Sequence, residues 1–499
     1  MRQDKNIAKE GSMQLVTRGP HPKTITFGKP RPRKKFSHDD LIKLKMTLNM
    51  SGKQTKLLAG GLRVVLGRDA IEPNLMDYIK EVNHRLAGFF KLEDLCITKK
   101  VNKVDTVVHR PGVFCKDVAG LIKLLIEVRD IDPENESIQV GFDDGGGIVK
   151  EMMLIVDKSK DYDMSPTKRA KYIEGIAAKQ FKNTSVKKLI MIGCALETGE
   201  SYDKVKKMLD ETCMDGVEQA LSCVDVKMML ILIGKAGGSG STYNCPVGNG
   251  KSPWTGEDKC ELITLGHARS ENDRFQADGS PLADQKDYEN FTRPPLLIGE
   301  NHILLILLSS LPGLHMMTGV VSKLIAEIEA TLGDTGRNFV DKYLKQISVH
   351  RSEYHGLYSF EGNQARKLLK KIGGMMDNAR RLPRKVKSRV KEIIGVMEAF
   401  DLVVERCFGV HLNGDYEEAI RDFSVKYRAL KISVIPKVHM VEDHVVQSIQ
   451  MKHPGLGLGA FTEQSFESCH HDFKVEWDRT KVDIDHPDVG QRLLDTVVR

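Results

Sequence analysis

The sequence is poor in aromatics, 6% overall with only two tryptophans, and it has no apolar run of the ~18 residues that a membrane span requires. The longest, Ile303 to Leu314, is broken by Ser309, Ser310, Pro312 and Gly313. Nor is there an apolar segment behind the charged start MRQDKNIAKEGS, so no secretory signal is expected there. The nine cysteines are odd in number and irregularly spaced, which argues against a disulfide framework and for a reducing, intracellular compartment. What is present suffices for a folded protein. With 499 residues and 40% hydrophobic side chains, the chain can bury sizeable cores in roughly three domains, and disorder is excluded.

The net charge of +7 is unevenly placed. Residues 1–63 hold 15 basic and 4 acidic side chains, a local excess of +11, so the other 436 residues sum to −4. A second block, Arg366 to Lys391, has eleven Lys/Arg and one acid, Asp377. Dense positive patches on a near-neutral body suit a protein that neutralises phosphates at chosen places; a solvated helix face and a loose tail are the plainer alternative.

Residues 1–36 read as an extended, Pro- and Gly-rich arm ending in Arg31-Pro32-Arg33-Lys34-Lys35, a nuclear-import-type run. Ser37 offers a helix cap before Leu41, Leu44 and Leu48, and a second helix restarts at Ser51. The segment 1–63 is thus a basic DNA-binding arm with a helical part, and 64–135 is expected to be a mostly helical pre-core and dimerisation region. At Ser137 the period changes. Ile138, Val140 and Phe142 alternate with Gln139 and Gly141 in a strand ending at Asp143-Asp144 and a glycine run. Apolar runs at 148–156 and 186–194 suit buried strands, and Val205, Met208 and Leu209 have helical spacing. Strands interleaved with helices predict an α/β core over 136–235. Residues 236–430, Gly- and charge-rich and then helical, read as one large insertion, with the core completed by 431–499.

Asp143 stands where a strand meets glycines, a place for close approach, and its charge suits a hard cation better than a phosphate. Neither a dinucleotide fingerprint nor a P-loop is found at this glycine run, and a polar turn is the alternative. Asp225 follows an apolar stretch and on its own reads equally as a helix cap. Glu463 and Glu467 share a helix face beside the apolar stripe Phe466, Cys469, Phe473 and Trp477. Three such carboxylates could assemble a two-metal phosphoryl-transfer site. His439 and His444 are spaced like paired zinc ligands, with Cys245 as a third; two partly exposed histidines would look the same. His470 and His471 compete as metal ligands but read better as surface residues.

Several stretches together resemble the Transib-type and RAG-like DNA transposases, the family of the V(D)J recombinase catalytic subunit. They are GGSGSTYNCPV (237–247) with LITLGHARSENDRF (262–275), GNQARKLLK (362–370), and PKVHMVEDHVV through GLGAFTEQSFESCHHDF (436–473). The likeness spans roughly 136–499. It implies an α/β, ribonuclease-H-like mixed-sheet core interrupted by a large, mainly helical insertion. It also implies a catalytic triad of Asp143, with Asp144 as rival, Asp225 and Glu467, binding two Mg²⁺ or Mn²⁺ ions. The implied activity is nicking of double-stranded DNA at transposon terminal repeats, hairpin formation and strand transfer, by a nuclear homodimer with or without an accessory subunit. Arg31, Arg33, Lys34, Lys35, Asn363, Arg366, Lys367, Lys370 and Lys371 would contact DNA. Zinc would be held by Cys245, His439 and His444. The family's second cysteine is Gly248 here, leaving Cys260 or water as fourth ligand, or no zinc at all. The chain also ends at Arg499, soon after the glutamate helix, where relatives continue. A decayed copy that binds DNA without cutting it is therefore the alternative.

Overall fold

The computed structural model describes residues 13–16, 24–27, 37, 41, 52–66, 74–101, 104–129, 131, 134, 136–145, 147–157, 189–196, 200–217, 220–237, 241–254, 260–280, 282–354, 357–452, 455–461 and 463–498. They form two compact units, Met1–Leu86 with Arg499, and Ala87–Val498. In the first, β1 (Met13–Val16) and β2 (Thr24–Phe27) make an antiparallel hairpin where an unpaired arm was expected. Helix α1 (Gly52–Leu66) starts one residue after Ser51, as the capping pattern predicts, and α2 (Leu75–Ala87) follows. Arg31, Arg33, Lys34 and Lys35 lie outside the described residues.

The second unit is built on a six-stranded mixed sheet in the order β3-β4-β7-β6-β5-β8. Strands β3 (Phe90–Val101) and β4 (Val104–Cys115) are twelve residues each and pair antiparallel over their full length, which corrects the mostly helical expectation for 64–135. Their signal is period two: Leu95 and Ile97 are buried, and Cys96 between them is exposed. Helix α3 (Val118–Arg129) precedes β5 (Glu136–Gly145) and β6 (Ile148–Asp157), an antiparallel pair in the middle of the sheet. Both are covered on two faces, which is why β6 reads as a continuous apolar run rather than an alternation. β7 (Ile190–Leu196) joins β6 to the inner end of β4, and β8 (Leu221–Ser222) pairs parallel with β5.

Helices close both faces. From α4 (Tyr202–Glu211), Met208 packs with Leu95, Ile97, Phe114, Val149 and Ala195. On the other face α14 (Gln464–Thr480) packs Phe466 against Met152, Leu154, Val156, Leu189 and Cys223. The apolar stripe read on this helix is the buried one: Phe466, Phe473 and Trp477 are all buried. Gly141 makes the approach possible, since a Cβ there would overlap the Phe466 ring and come within 2.8 Å of its Cε1. Burial of that ring alone stabilises by roughly 1.5–3 kcal/mol.

Between β8 and α14 the chain is mainly helical. α5 (Val226–Leu232) and α6 (Leu265–Ala277) lead to the long α7 (Gly313–Leu332) and α8 (Gly336–Gln346). A short hairpin, β9 (Ser352–Tyr354) and β10 (Leu357–Ser359), precedes α9 (Gly362–Lys370), α10 (Gly373–Ala379) and the 24-residue α11 (Arg384–Cys407), against which α12 (Tyr416–Ala429) packs. α13 runs from Pro436–His439 through a π turn, Met440–His444, into Val445–Lys452, and α15 (Val489–Val498) ends the unit. Among the described residues no helix is long and apolar enough to cross a membrane.

Candidate carboxylate site and metal centre

Register places the acidic residues. Val140 of β5 pairs with Ser222 of β8, and counting three residues on from each reaches Asp143 and Asp225. Since the strands are parallel, both lie at the same end of the sheet. Asp225 caps α5, its carboxylate accepting from the Met228 amide at 2.7 Å, so the cap reading and the site reading apply to one residue. Alternation along β5 puts Gln139, Gly141 and Asp143 on the face covered by α14: Gln139 Nε2 donates to the Ala460 carbonyl at 3.2 Å, and Gly141 lies under Phe466. Asp144 belongs to the opposite face, which separates it from its rival. Both it and Asp225 act on Glu200 and on Lys227, themselves ion-paired at 2.5 Å.

Glu467 follows Phe466 on α14. Burial, with Glu463, Asp143 and Asp225 acting in the same direction and His315 opposing, raises its carboxyl to about 7. The three expected carboxylates therefore fall within electrostatic reach of one another. They are not a closed ligand set, however. Among the described residues, the carboxylates do not gather as tightly as the Cys/His group described below, and Glu467 Oε1 is held by His315 Nε2 at 3.2 Å. The other ring nitrogen, His315 Nδ1, is 3.2 Å from Glu463 Oε1, which also accepts from the His315 amide at 3.0 Å at the start of α7. Although burial opposes its charge, Glu463, Glu467 and Asp225 raise this imidazole to about 9, so it is a cation at neutral pH. Nothing in the GLHMM context marks His315 in the sequence; the Glu463 and Glu467 spacing is the only trace of its partners.

The metal centre is more sharply drawn. Cys245, Cys260, His439 and His444 are all buried, and one ligand atom of each lies within 4.8 Å of the others. His439 and His444 would stand about 140° apart on an ordinary α-helix. The π turn adds a residue to the winding and brings both rings to one side, centroids 5.0 Å apart. His444 Nδ1 is hydrogen-bonded to Gln447 Oε1 at 2.9 Å, which turns its Nε2 toward the cluster, 3.2 Å from Cys245 Sγ. His439 Nδ1 stands 2.9 Å from Asp443 Oδ2, and the buried His439 ring makes no hydrogen bond of its own among the described residues.

Cys260 supplies the thiol that position 248 lacks. A Cβ on Gly248 would overlap the Cys260 sulfur and lie 3.5 Å from that of Cys245, so the Cys260 side chain fills the space of the missing residue. The Gly250 amide donates to the same sulfur at 3.1 Å. Lys235 Nζ ties down the loop by donating to the carbonyls of Cys245 and Gly248 at 2.9 and 3.1 Å, and Trp254 stacks on His439 with centroids 4.4 Å apart. Arg428 fixes Trp254 through its carbonyl at 2.7 Å while pairing with Glu442 at 2.6 Å. Burial opposes ionisation of Cys245, but Cys260, His444 and His439 outweigh it and hold its thiol well below the ordinary value. Cys260, donating to Cys245 and buried, is pushed up instead. A buried thiolate beside a thiol and two oriented imidazoles is a soft donor set that fits zinc, with the metal taking the place of the shared proton.

The second basic block spans α9, α10 and the start of α11. α9 buries Ala365, Leu368 and Leu369 and turns Asn363, Arg366 and Lys370 outward, with Lys371 exposed beyond. Lys367 Nζ is spent on the Ser348 carbonyl at 2.6 Å, and Arg366 and Lys370 act on Asp401 of α11. Arg384, Lys385 and Lys387 crowd the first turn of α11, where no acid offsets them and the helix dipole is already positive. Gly362, at the start of α9, packs on Leu314, the neighbour of His315, so the basic helix begins beside the carboxylates. The side chains of His470 and His471 lie outside the described ones. No family model matches this sequence, and no curated protein shows significant similarity to it.

Proposed function

We propose that the chain is a metal-dependent DNA transposase or recombinase with a ribonuclease-H-like core, acting in the nucleus as a homodimer on double-stranded DNA at transposon ends. The observation that carries this reading is the placement of Asp143 in β5 and of Asp225 just beyond β8, at the start of α5, at the same end of two neighbouring parallel strands, with Glu467 of α14 within their electrostatic reach. The sheet order β7-β6-β5-β8, three antiparallel strands followed by a parallel one, supports it. So does the start of a basic helix beside His315.

In this reading Asp143, Asp225 and Glu467 hold Mg²⁺ or Mn²⁺, which when bound supplies the charge needed for phosphoryl transfer. The remaining work falls to the protein. His315, held by Glu463, orients Glu467 and keeps a positive charge beside it. Asp225 is fixed by capping α5. Arg366, Lys370 and Lys371 take backbone phosphates. The zinc-type cluster ties His439 and His444 of α13 to Cys245 and Cys260.

The test is cleavage, in Mg²⁺ or Mn²⁺, of supercoiled plasmid carrying cognate transposon ends. Nicks and hairpin ends from the wild type, lost in Asp225→Ala, are the expected result; undiminished cleavage in that variant defeats the assignment. A DNA-binding protein that does not cleave is the second reading, favoured by the hold of His315 on Glu467. It predicts tight, salt-sensitive binding that is the same with and without divalent ions.

A further inference from the structure

Lys437 is a cation that neither the sequence pattern nor the proposed chemistry uses. It opens α13 just after Pro436, two residues before His439. Its half-buried side chain runs along α7 at Gly319. A Cβ on Gly319 would overlap Lys437 Cδ and stand 2.9 Å from Nζ, so the bare glycine is the groove through which the lysine passes. Gly319 lies one turn beyond His315 on the same face of α7, and His315 touches both Glu463 and Glu467 at 3.2 Å. The ammonium thus lies on the carboxylate side of α7; burial works against its charge, and Asp225, Glu463 and Glu467 act to hold it.

We infer that Lys437 is the resident counter-ion of the carboxylate site and lowers its affinity for divalent cations. The inference rests on the reading of that site as one that takes such ions. Two protein cations, His315 and Lys437, already share the field of Asp225, Glu463 and Glu467, so an entering dication meets less net negative charge than the acids alone would present. Repulsion between an ammonium and a dication that share a partly buried field opposes ion entry, and it must be overcome or the lysine must swing away. A lysine displaced in this manner would be free to meet a DNA phosphate, which couples ion loading to substrate arrival.

The experiment is a Mn²⁺ titration of the zinc-loaded full-length protein, read by the electron paramagnetic resonance of free Mn²⁺, without DNA. Lys437→Met is expected to bind Mn²⁺ about tenfold more tightly than wild type, and Lys437→Arg to stay near it. Gly319→Ala reaches the same end from the other wall, because its methyl expels the lysine while favouring the helix; it should also tighten binding. Glu467→Gln should weaken binding in every background, which identifies the site being measured. Unchanged or weaker Mn²⁺ binding in both Lys437→Met and Gly319→Ala overturns the inference, as does binding indifferent to Glu467→Gln. A nicking assay on the same samples separates the two claims: tighter Mn²⁺ without cleavage removes the transposase reading and leaves the counter-ion, while cleavage with unaltered Mn²⁺ affinity does the reverse.

Discussion

At the scale of the residue, Glu467 is a carboxylate whose environment opposes its own charge. Its carboxyl is raised from 4.5 to about 7, so the folded protein holds that proton more tightly than the unfolded chain does. The associated stability is complete below about pH 4.5 and is lost as the pH rises through about 7. A cation ligand has to be ionised, so divalent-ion binding and any cleavage should rise with pH through the same range. The His315 cation is what keeps Glu467 from being raised further. His315→Gln should therefore move the pH dependence of Mn²⁺ binding to higher pH by about one unit, with Glu467→Gln flat across it. A profile that does not move would show that His315 merely fills space. Asp143, an acid at a strand end, and Glu463 with Glu467, a pair four apart on a helix, are short-range patterns that a sequence shows, whereas Asp225 reads equally as a helix cap and is singled out only by the family resemblance. His315 and Lys437 were not legible there, because their meaning lies in where α7 and α13 pass the sheet, which no local spacing encodes.

At the scale of the element, α13 shows what spacing alone leaves open. His439 and His444 suggested zinc, yet on a regular helix they would diverge; the π turn decides the matter, and no residue among Met440–His444 announces it. The fourth ligand was open for a similar reason. Gly248 removed the expected thiol, and only the approach of Cys260 to Gly248 shows the thiol that takes its place. Cys260→Ser should reduce bound zinc, measured by atomic absorption on purified protein, from about one ion per chain to less than half. It should also lower the midpoint of thermal unfolding, as should chelation of the wild type. Adding Gly248→Cys to Cys260→Ser returns a thiol to the vacated volume and should recover most of the zinc. Full zinc retention by Cys260→Ser would mean that three ligands and water suffice. The hairpin β3–β4 was missed although its alternation is plain at Leu95, Cys96 and Ile97, because its outer half is exposed and charged and so lacks the apolar weight that marks β6.

For the whole molecule the uneven charge becomes an argument about path. The basic residues of 366–391 sit on α9, in the turns either side of α10 and on the start of α11, and α9 starts against Leu314, the neighbour of His315, so phosphates bound along α9 would lead a duplex toward Glu467. The arrangement is costly without an anion, since cations at the first turn of α11 oppose its dipole and Arg366 and Lys370 share one carboxylate, Asp401. Cations that meet the DNA backbone in this way fix position without reading sequence. Arg366→Ala with Lys370→Ala and Lys371→Ala should weaken binding to all duplexes alike. The log–log salt dependence should become shallower by about 0.9 for each phosphate no longer neutralised, about 2.7 for three. Preference between a transposon end and unrelated DNA should stay as it was, measured by competition at two salt concentrations. If instead the triple variant keeps its salt slope but loses end preference, the basic helices read bases, and the duplex must cross the molecule with a groove turned toward α9 rather than its backbone.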